Sequence, residues 1–156
     1  MSFQIRLAGP DDWQSIVDFN FRLAVESEGK ELNRSDVEPG VKAVLADARK
    51  GRYFVAEEKG RLVGQLMHTY EWSDWRNGEI WWLQSVYVVP EFRRQGVFRA
   101  LFQRLKSEAE ADPGVVGLRL YVEENNTRAH DTYRDLGLAP GGYFVMQRMH
   151  RRSVEG

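Results

Sequence analysis

The run Val86-Tyr87-Val88-Val89-Pro90-Glu91-Phe92-Arg93-Arg94-Gln95-Gly96-Val97-Phe98-Arg99 joins an apolar stretch to an amphipathic one through a basic turn with one glycine. A helix that starts just after such a turn presents unpaired N–H groups and the positive end of its dipole, which together favour an anion. Gly96 lets an anion approach the backbone closely, and Arg93 and Arg94 add positive charge. The pattern points to a phosphorylated ligand. It is not a Walker A loop, which needs Gly-Lys-Ser/Thr, nor a dinucleotide fingerprint, which needs three spaced glycines. The bland alternative is a tight turn with solvated arginines.

A second concentration of chemistry runs from Tyr70 to Trp82, which holds four of the five tryptophans together with Glu71, Asp74 and Glu79. Aromatic faces with acids nearby attract a cationic amine. The competing readings are hairpin packing or a subunit interface. His68, His130 and His150 are far apart in sequence and share no metal-ligand spacing, so no metal site is expected.

The elements that must position these groups follow from periodicity. Phe3–Ala8 alternates as a strand; a helix begins at Pro10 and gives way to a polar break at Glu26–Lys30. A second helix is expected from Pro39 to a C-cap at Gly51. Strands at Arg52–Glu57 and Leu62–Tyr70 flank a Lys59-Gly60 turn, and Asn77-Gly78 reads as a hairpin turn into a strand over Glu79–Val89. That strand is apolar on two faces, Ile80, Trp82, Val86 and Val88 on one and Trp81, Leu83, Tyr87 and Val89 on the other, so it belongs inside a sheet covered on both sides. A helix over about Gly96–Ala111, a strand over Val115–Val122, a helix capped by Asn126 and closed at Gly137, and a strand over Tyr143–Met149 complete the order. The class is α+β: a central mixed, mostly antiparallel sheet flanked by helices, with one right-handed β-α-β crossover.

The 156 residues fit one domain, taken as residues 1–156. A net charge of −1 argues against nucleic acid, including a helix-turn-helix or RNA-binding reading. No apolar run reaches membrane-span length, the first residues lack a signal-peptide core, and there is no cysteine. These features lead us to expect a cytoplasmic protein with no membrane or nucleic-acid partner, and no disulfide or thiolate chemistry.

Arg93-Arg94-Gln95-Gly96-Val97-Phe98, following a Val-Tyr-Val-Val-Pro strand, resembles the pyrophosphate motif of the GCN5-related N-acetyltransferases, Arg/Gln-x-x-Gly-x-Gly/Ala. Asn126, Ala129, Tyr133, Leu136 and Gly137 resemble the family's second motif, and the element order matches that fold, the acyl-CoA N-acyltransferase fold, over nearly the whole chain. Phe98 departs from the motif, which has a small residue there. The resemblance implies acetyl-CoA as cosubstrate. The backbone of Val86 and Val88, around Tyr87, is then expected to pair with the pantetheine arm. Arg93, Arg94, Gln95, Gly96, Val97, Phe98 and Arg99 form the pyrophosphate turn, and Asn126 contacts pantetheine or water besides capping its helix.

The resemblance further implies acetyl transfer to a primary amine by direct attack in a ternary complex. Tyr133 is the candidate acid for the departing thiolate, against the plain alternative of a core aromatic. Relatives place a base on the fourth strand at positions that hold Gln84 and Trp82 here, so the base candidates become Glu79, Glu123 or Glu124, acting directly or through water, with Glu71 and Asp74 behind them. Glu26 and Glu28 lie where relatives line the acceptor pocket. The acceptor is a small-molecule amine or a protein N-terminus or lysine, and a homodimer is compatible. The alternative from another class is an acyl-CoA-binding sensor of the same fold with little or no turnover.

Overall fold

The computed structural model describes residues 2–151. Five strands form one sheet in the order β1-β2-β3-β4-β5: β1 Gln4–Leu7, β2 Arg52–Glu58, β3 Arg61–Ser73, β4 Gly78–Val88 and β5 Val115–Arg119. All neighbours are antiparallel except β4 and β5, which are parallel and joined by helix α3, Val97–Ala111. The other helices are α1 Trp13–Glu28, α2 Arg34–Ala46 and α4 Thr127–Asp135.

Alternation along β3 sorts the two layers. Gln65 reaches Asn20 of α1, whereas a Cβ built on Gly64 would stand 2.9 Å from Val97 of α3. One face of the sheet therefore carries α1 and α2, the other α3. Burial on both faces produces the apolar runs of β2 to β4, with Phe54, Val55, Val63 and Leu66 fully buried. From α3, Val97, Leu101, Phe102, Leu105 and Ala109 face inward. Each fully buried large side chain contributes about 1.5–3 kcal/mol.

Several boundaries differ from the sequence reading, each for a local reason. Helix α1 runs on to Glu28 and stops at Gly29, whose left-handed conformation (φ 63°) closes the helix; the polar residues before it lie on an exposed helical turn. Helix α2 starts before Pro39, because the Asn33 side chain accepts from Ser35 N–H at 3.0 Å and nucleates it there. It ends at Ala46, so Gly51 is not its cap; a Cβ at Gly51 would lie 2.7 Å from the His68 carbonyl oxygen. Asp74–Asn77 make the β3–β4 turn with Asn77 left-handed, and Gly78 already belongs to β4, where Val116 of β5 leaves no room for a side chain. Strand β5 is shorter than expected, ending at Arg119. The expected last strand, Tyr143–Met149, is not a strand: no other described strand pairs with it, and Phe144 and Met146 are more than nine-tenths exposed. Alternating residues suit a strand, but a strand exists only where a neighbouring backbone completes its hydrogen bonds.

Candidate active site

Strand β4 has two unlike halves. From Glu79 to Trp82 it is paired on both sides, with β3 and with β5. From Leu83 to Val88 it is paired with β3 alone, so one row of backbone groups is left without a strand partner. Between the halves lies a bulge: Met67 pairs with Gln84 and Gln65 with Tyr87, so β4 carries one residue more than β3 there. Ser85 sits in the bulge with φ 50°. The extra residue reverses the alternation. Ile80 and Trp82 face α1 and α2, while Val86 and Val88 face α3 with Trp81 and Leu83; the single apolar face expected for Ile80, Trp82, Val86 and Val88 is thereby corrected.

Below the open half, a short 3-10 turn at Pro90–Phe92 plants Phe92 in the core and leads to Arg93. Arg94 (φ 63°) and Gly96 (φ 85°) are both left-handed, which turns the chain abruptly into α3. Gly96 is the N-cap of α3, and no side chain caps it. The first N–H groups of the helix, at Val97, Phe98 and Arg99, have no intrahelical partner, and a Cβ on Gly96 would meet nothing within 4 Å. The half-buried ring of Phe98 packs 6.1 Å from Phe102 and 5.8 Å from Tyr133. Room, free donors and an exposed Arg94 fit a pyrophosphate.

Arg93 makes a different use of its charge. Its Nε donates to the Val88 carbonyl oxygen at 2.8 Å, and its Nη2 meets Glu26 Oε1 at 2.7 Å. Tyr87 donates its hydroxyl to the other Glu26 oxygen at 2.7 Å. The Tyr87 bond, with Arg93 behind it, holds the Glu26 carboxyl below its usual pKa, and burial raises the Tyr87 phenol. Glu26, expected near an acceptor pocket, is thus engaged in bracing the turn from the end of α1. Gln95 closes the turn from the other side by donating to the Glu91 carbonyl.

Tyr133 stands on α4 with its ring edge-on to Phe98, so it lies beside the start of α3. Burial raises its phenol above the ordinary value, which already leaves tyrosine protonated at neutral pH. Asn126 caps α4 by accepting from Ala129 N–H at 3.1 Å. Glu123 lies in the turn before α4, where its carboxylate accepts from Asn125. Glu79 is at the opposite end of β4, seven residues before Val86 and so roughly 23 Å along the strand. Its carboxylate accepts from the Trp81 indole, and the structure does not bring it to the turn. Gln84 donates to Thr69 Oγ1, and the Trp82 indole donates to Glu71, which also takes Arg119. Trp72 and Trp75 lie at the hairpin end of the sheet, 64% and 89% exposed, far from the open half of β4 and not gathered into a cage there.

The model of the acetyltransferase (GNAT) family matches residues 13–138. The chain belongs to the GNAT acetyltransferase family. Among solved structures, a possible acetyltransferase from Clostridium difficile 630 is 45% identical, with a TM-score of 0.90 over 97% of this chain and 100% of that one. A predicted acetyltransferase from Clostridium acetobutylicum, solved with acetyl-CoA, shares the fold at 17% identity and a TM-score of 0.79, covering 96% of this chain and 100% of that one. A thialysine N-epsilon-acetyltransferase of Bos taurus is 36% identical over 76 residues, 49% of this chain and 44% of that protein; the match thus spans less than half of the curated relative's length. The Caenorhabditis elegans enzyme of the same name is 28% identical over 85% of this chain and 80% of its own.

For a GNAT chain the sequence reading placed the turn and the α3 start well, since both depend on local residues. It missed the bulge and the residue that touches it, Gln65, which donates to the Ser85 carbonyl. It also missed the part played by Glu26. Among the described residues no cluster of three His, Asp or Glu side chains has metal-binding geometry, and no helix is long and apolar enough to cross a membrane.

Proposed function

We propose that this chain moves the acetyl group of acetyl-CoA to a primary amine by direct attack in a ternary complex. One observation carries the reading: the uncapped start of α3 opens beside the half of β4 that lacks a strand partner. Donors for a pyrophosphate and a free strand edge for a pantetheine arm are then adjacent. In this reading Arg94 to Arg99 hold the phosphates through backbone N–H groups, and the main chain of Val86 and Val88 takes the arm as an added strand. Asn126 faces the arm from the end of α4.

Tyr133 is the acid. The protonated phenol gives its proton to the sulfur as the thiolate leaves, while the C–S bond breaks and the C–N bond forms. Among the acids considered for removing the amine proton, Glu123 and Glu124 share the turn into α4, and Glu79 stands at the far end of β4. Glu123 is therefore our choice, acting through water. The acceptor class is a small-molecule amine or a protein N-terminus or lysine. Thialysine, named for the bovine and nematode relatives, is the first acceptor to try.

Thiol release from acetyl-CoA across a panel of amines tests the activity. Tyr133→Phe should lower kcat about a hundredfold and leave acetyl-CoA affinity nearly unchanged, because a proton donor acts in the transition state. Equal turnover in the variant returns Tyr133 to a packing role. Cofactor binding without turnover on any amine selects the sensor reading instead.

A further inference from the structure

We propose that Gln65 is a positioning residue that holds the β4 bulge and so sets the backbone presented to the pantetheine arm, an inference resting on the acetyl-CoA reading above. Gln65 is fully buried in the middle of β3, between Val55 of β2 and Tyr87 of β4 in the register of the sheet. A buried amide costs stability unless it is hydrogen-bonded. Its nitrogen donates to the Asn20 Oδ1 of α1 and to the Ser85 carbonyl oxygen, each at 2.9 Å. Asn20 in turn donates to the Tyr53 hydroxyl at 3.2 Å. A polar strut thus runs from α1 and β2 through β3 to the bulge of β4.

One feature ties the strut to the bulge. Ser85 holds φ 50°, which a non-glycine residue adopts only when its surroundings compel it. Regular pairing would relieve Ser85, but it would shift the lower half of β4 by one residue. Every side chain below would change faces, and the backbone groups that Val86 and Val88 present at the open edge, the Val88 carbonyl held by Arg93 among them, would turn away from it. The hydrogen bond to the Ser85 carbonyl opposes that slip.

Titration calorimetry with two ligands tests this: acetyl-CoA, and the adenosine fragment of coenzyme A that ends at the pyrophosphate and has no pantetheine. Gln65→Leu should weaken acetyl-CoA by at least about fivefold, the worth of one hydrogen bond, and leave the fragment unchanged. Adding Ser85→Gly should restore most of the loss, since glycine takes a positive φ without strain. A general packing role predicts no such rescue. Asn20→Ala removes one acceptor at a half-buried position and should give a smaller loss in the same direction; it carries the test if Gln65→Leu does not fold. Unchanged acetyl-CoA affinity, a loss shared by both ligands, or failure of Ser85→Gly to restore binding overturns the inference. A wild type that binds the two ligands equally overturns the β4 reading, and the inference with it.

Discussion

The two halves of β4 are one continuous strand in similar apolar surroundings, yet they do different work. The upper half is closed: β5 pairs with it, Trp81 stacks on His68 with ring centroids 4.2 Å apart, and Glu79 and Glu71 are engaged by indoles. Its polar groups have partners inside the fold. The lower half is open on one side, kinked at Ser85, and leads into a helix start without a cap. Helices α2 and α4, by contrast, begin at Asn33 and Asn126, each of which satisfies a helix N–H. Groups left unsatisfied at a protein surface, next to each other and in a conformation that glycine permits, are where a ligand completes the structure.

The sharpest way to break this contrast is at Gly96. Gly96→Glu places an acid at the start of α3 and forces a non-glycine residue to φ 85°. Acetyl-CoA stabilises wild type by mass action, and the variant should lose the whole shift in melting temperature. A full shift in the variant would place the phosphates elsewhere.

The upper half should answer to acid rather than to ligand. Burial, and then the Arg52 guanidinium, lower the His68 pKa from 6.5 to about 4. Neutral His68 accepts from Arg52 Nε at 3.0 Å, and Arg52 also meets Glu108 of α3. Between those two pH values the unfolded chain takes up a proton that the folded chain refuses. Stability is therefore complete above pH 6.5 and is lost as pH falls towards 4, by about 3 kcal/mol. Urea unfolding of wild type and His68→Gln across that range measures it; the variant should lack this part of the slope. Parallel pH curves would show that another group carries the dependence.

A smaller effect is expected at Glu26. Glu26→Ala frees Arg93 and Tyr87 and should weaken acetyl-CoA about fivefold while the Michaelis constant for the amine holds, because the carboxylate braces the turn. A rise confined to the amine would return Glu26 to the acceptor pocket. The smallest effect belongs to Trp75, 89% exposed at the hairpin end. Trp75→Ala should change stability by less than about 0.5 kcal/mol and leave both substrates' kinetics alone. A raised amine constant there would revive the aromatic cage that the sequence suggested.

Local chemistry was legible before the structure. The Lys59-Gly60 turn, the Arg93–Gly96 turn, the α3 stripe of Val97, Leu101 and Leu105 and the Asn126 cap each depend on residues a few positions apart, and each stands as read. Where neighbours in space decide, the sequence misled. Asn77-Gly78 reads as a two-residue hairpin turn, but Val116, almost forty residues on, is why position 78 is glycine. Tyr143–Met149 alternates like a strand and finds no backbone to pair with.

The candidate site divides along the same line. The residue types of the Arg93–Gly96 turn and Tyr133 at helical spacing from Asn126 are determined by the sequence alone, because a glycine and a helix start act through their immediate neighbours. Tertiary structure alone decided that Glu79 lies a strand's length from the turn, that Glu26 is bound to Arg93 and Tyr87, and that Gln65 meets the bulge at Ser85. A bulge is a mismatch between two strands, and neither strand's sequence records the register of the other.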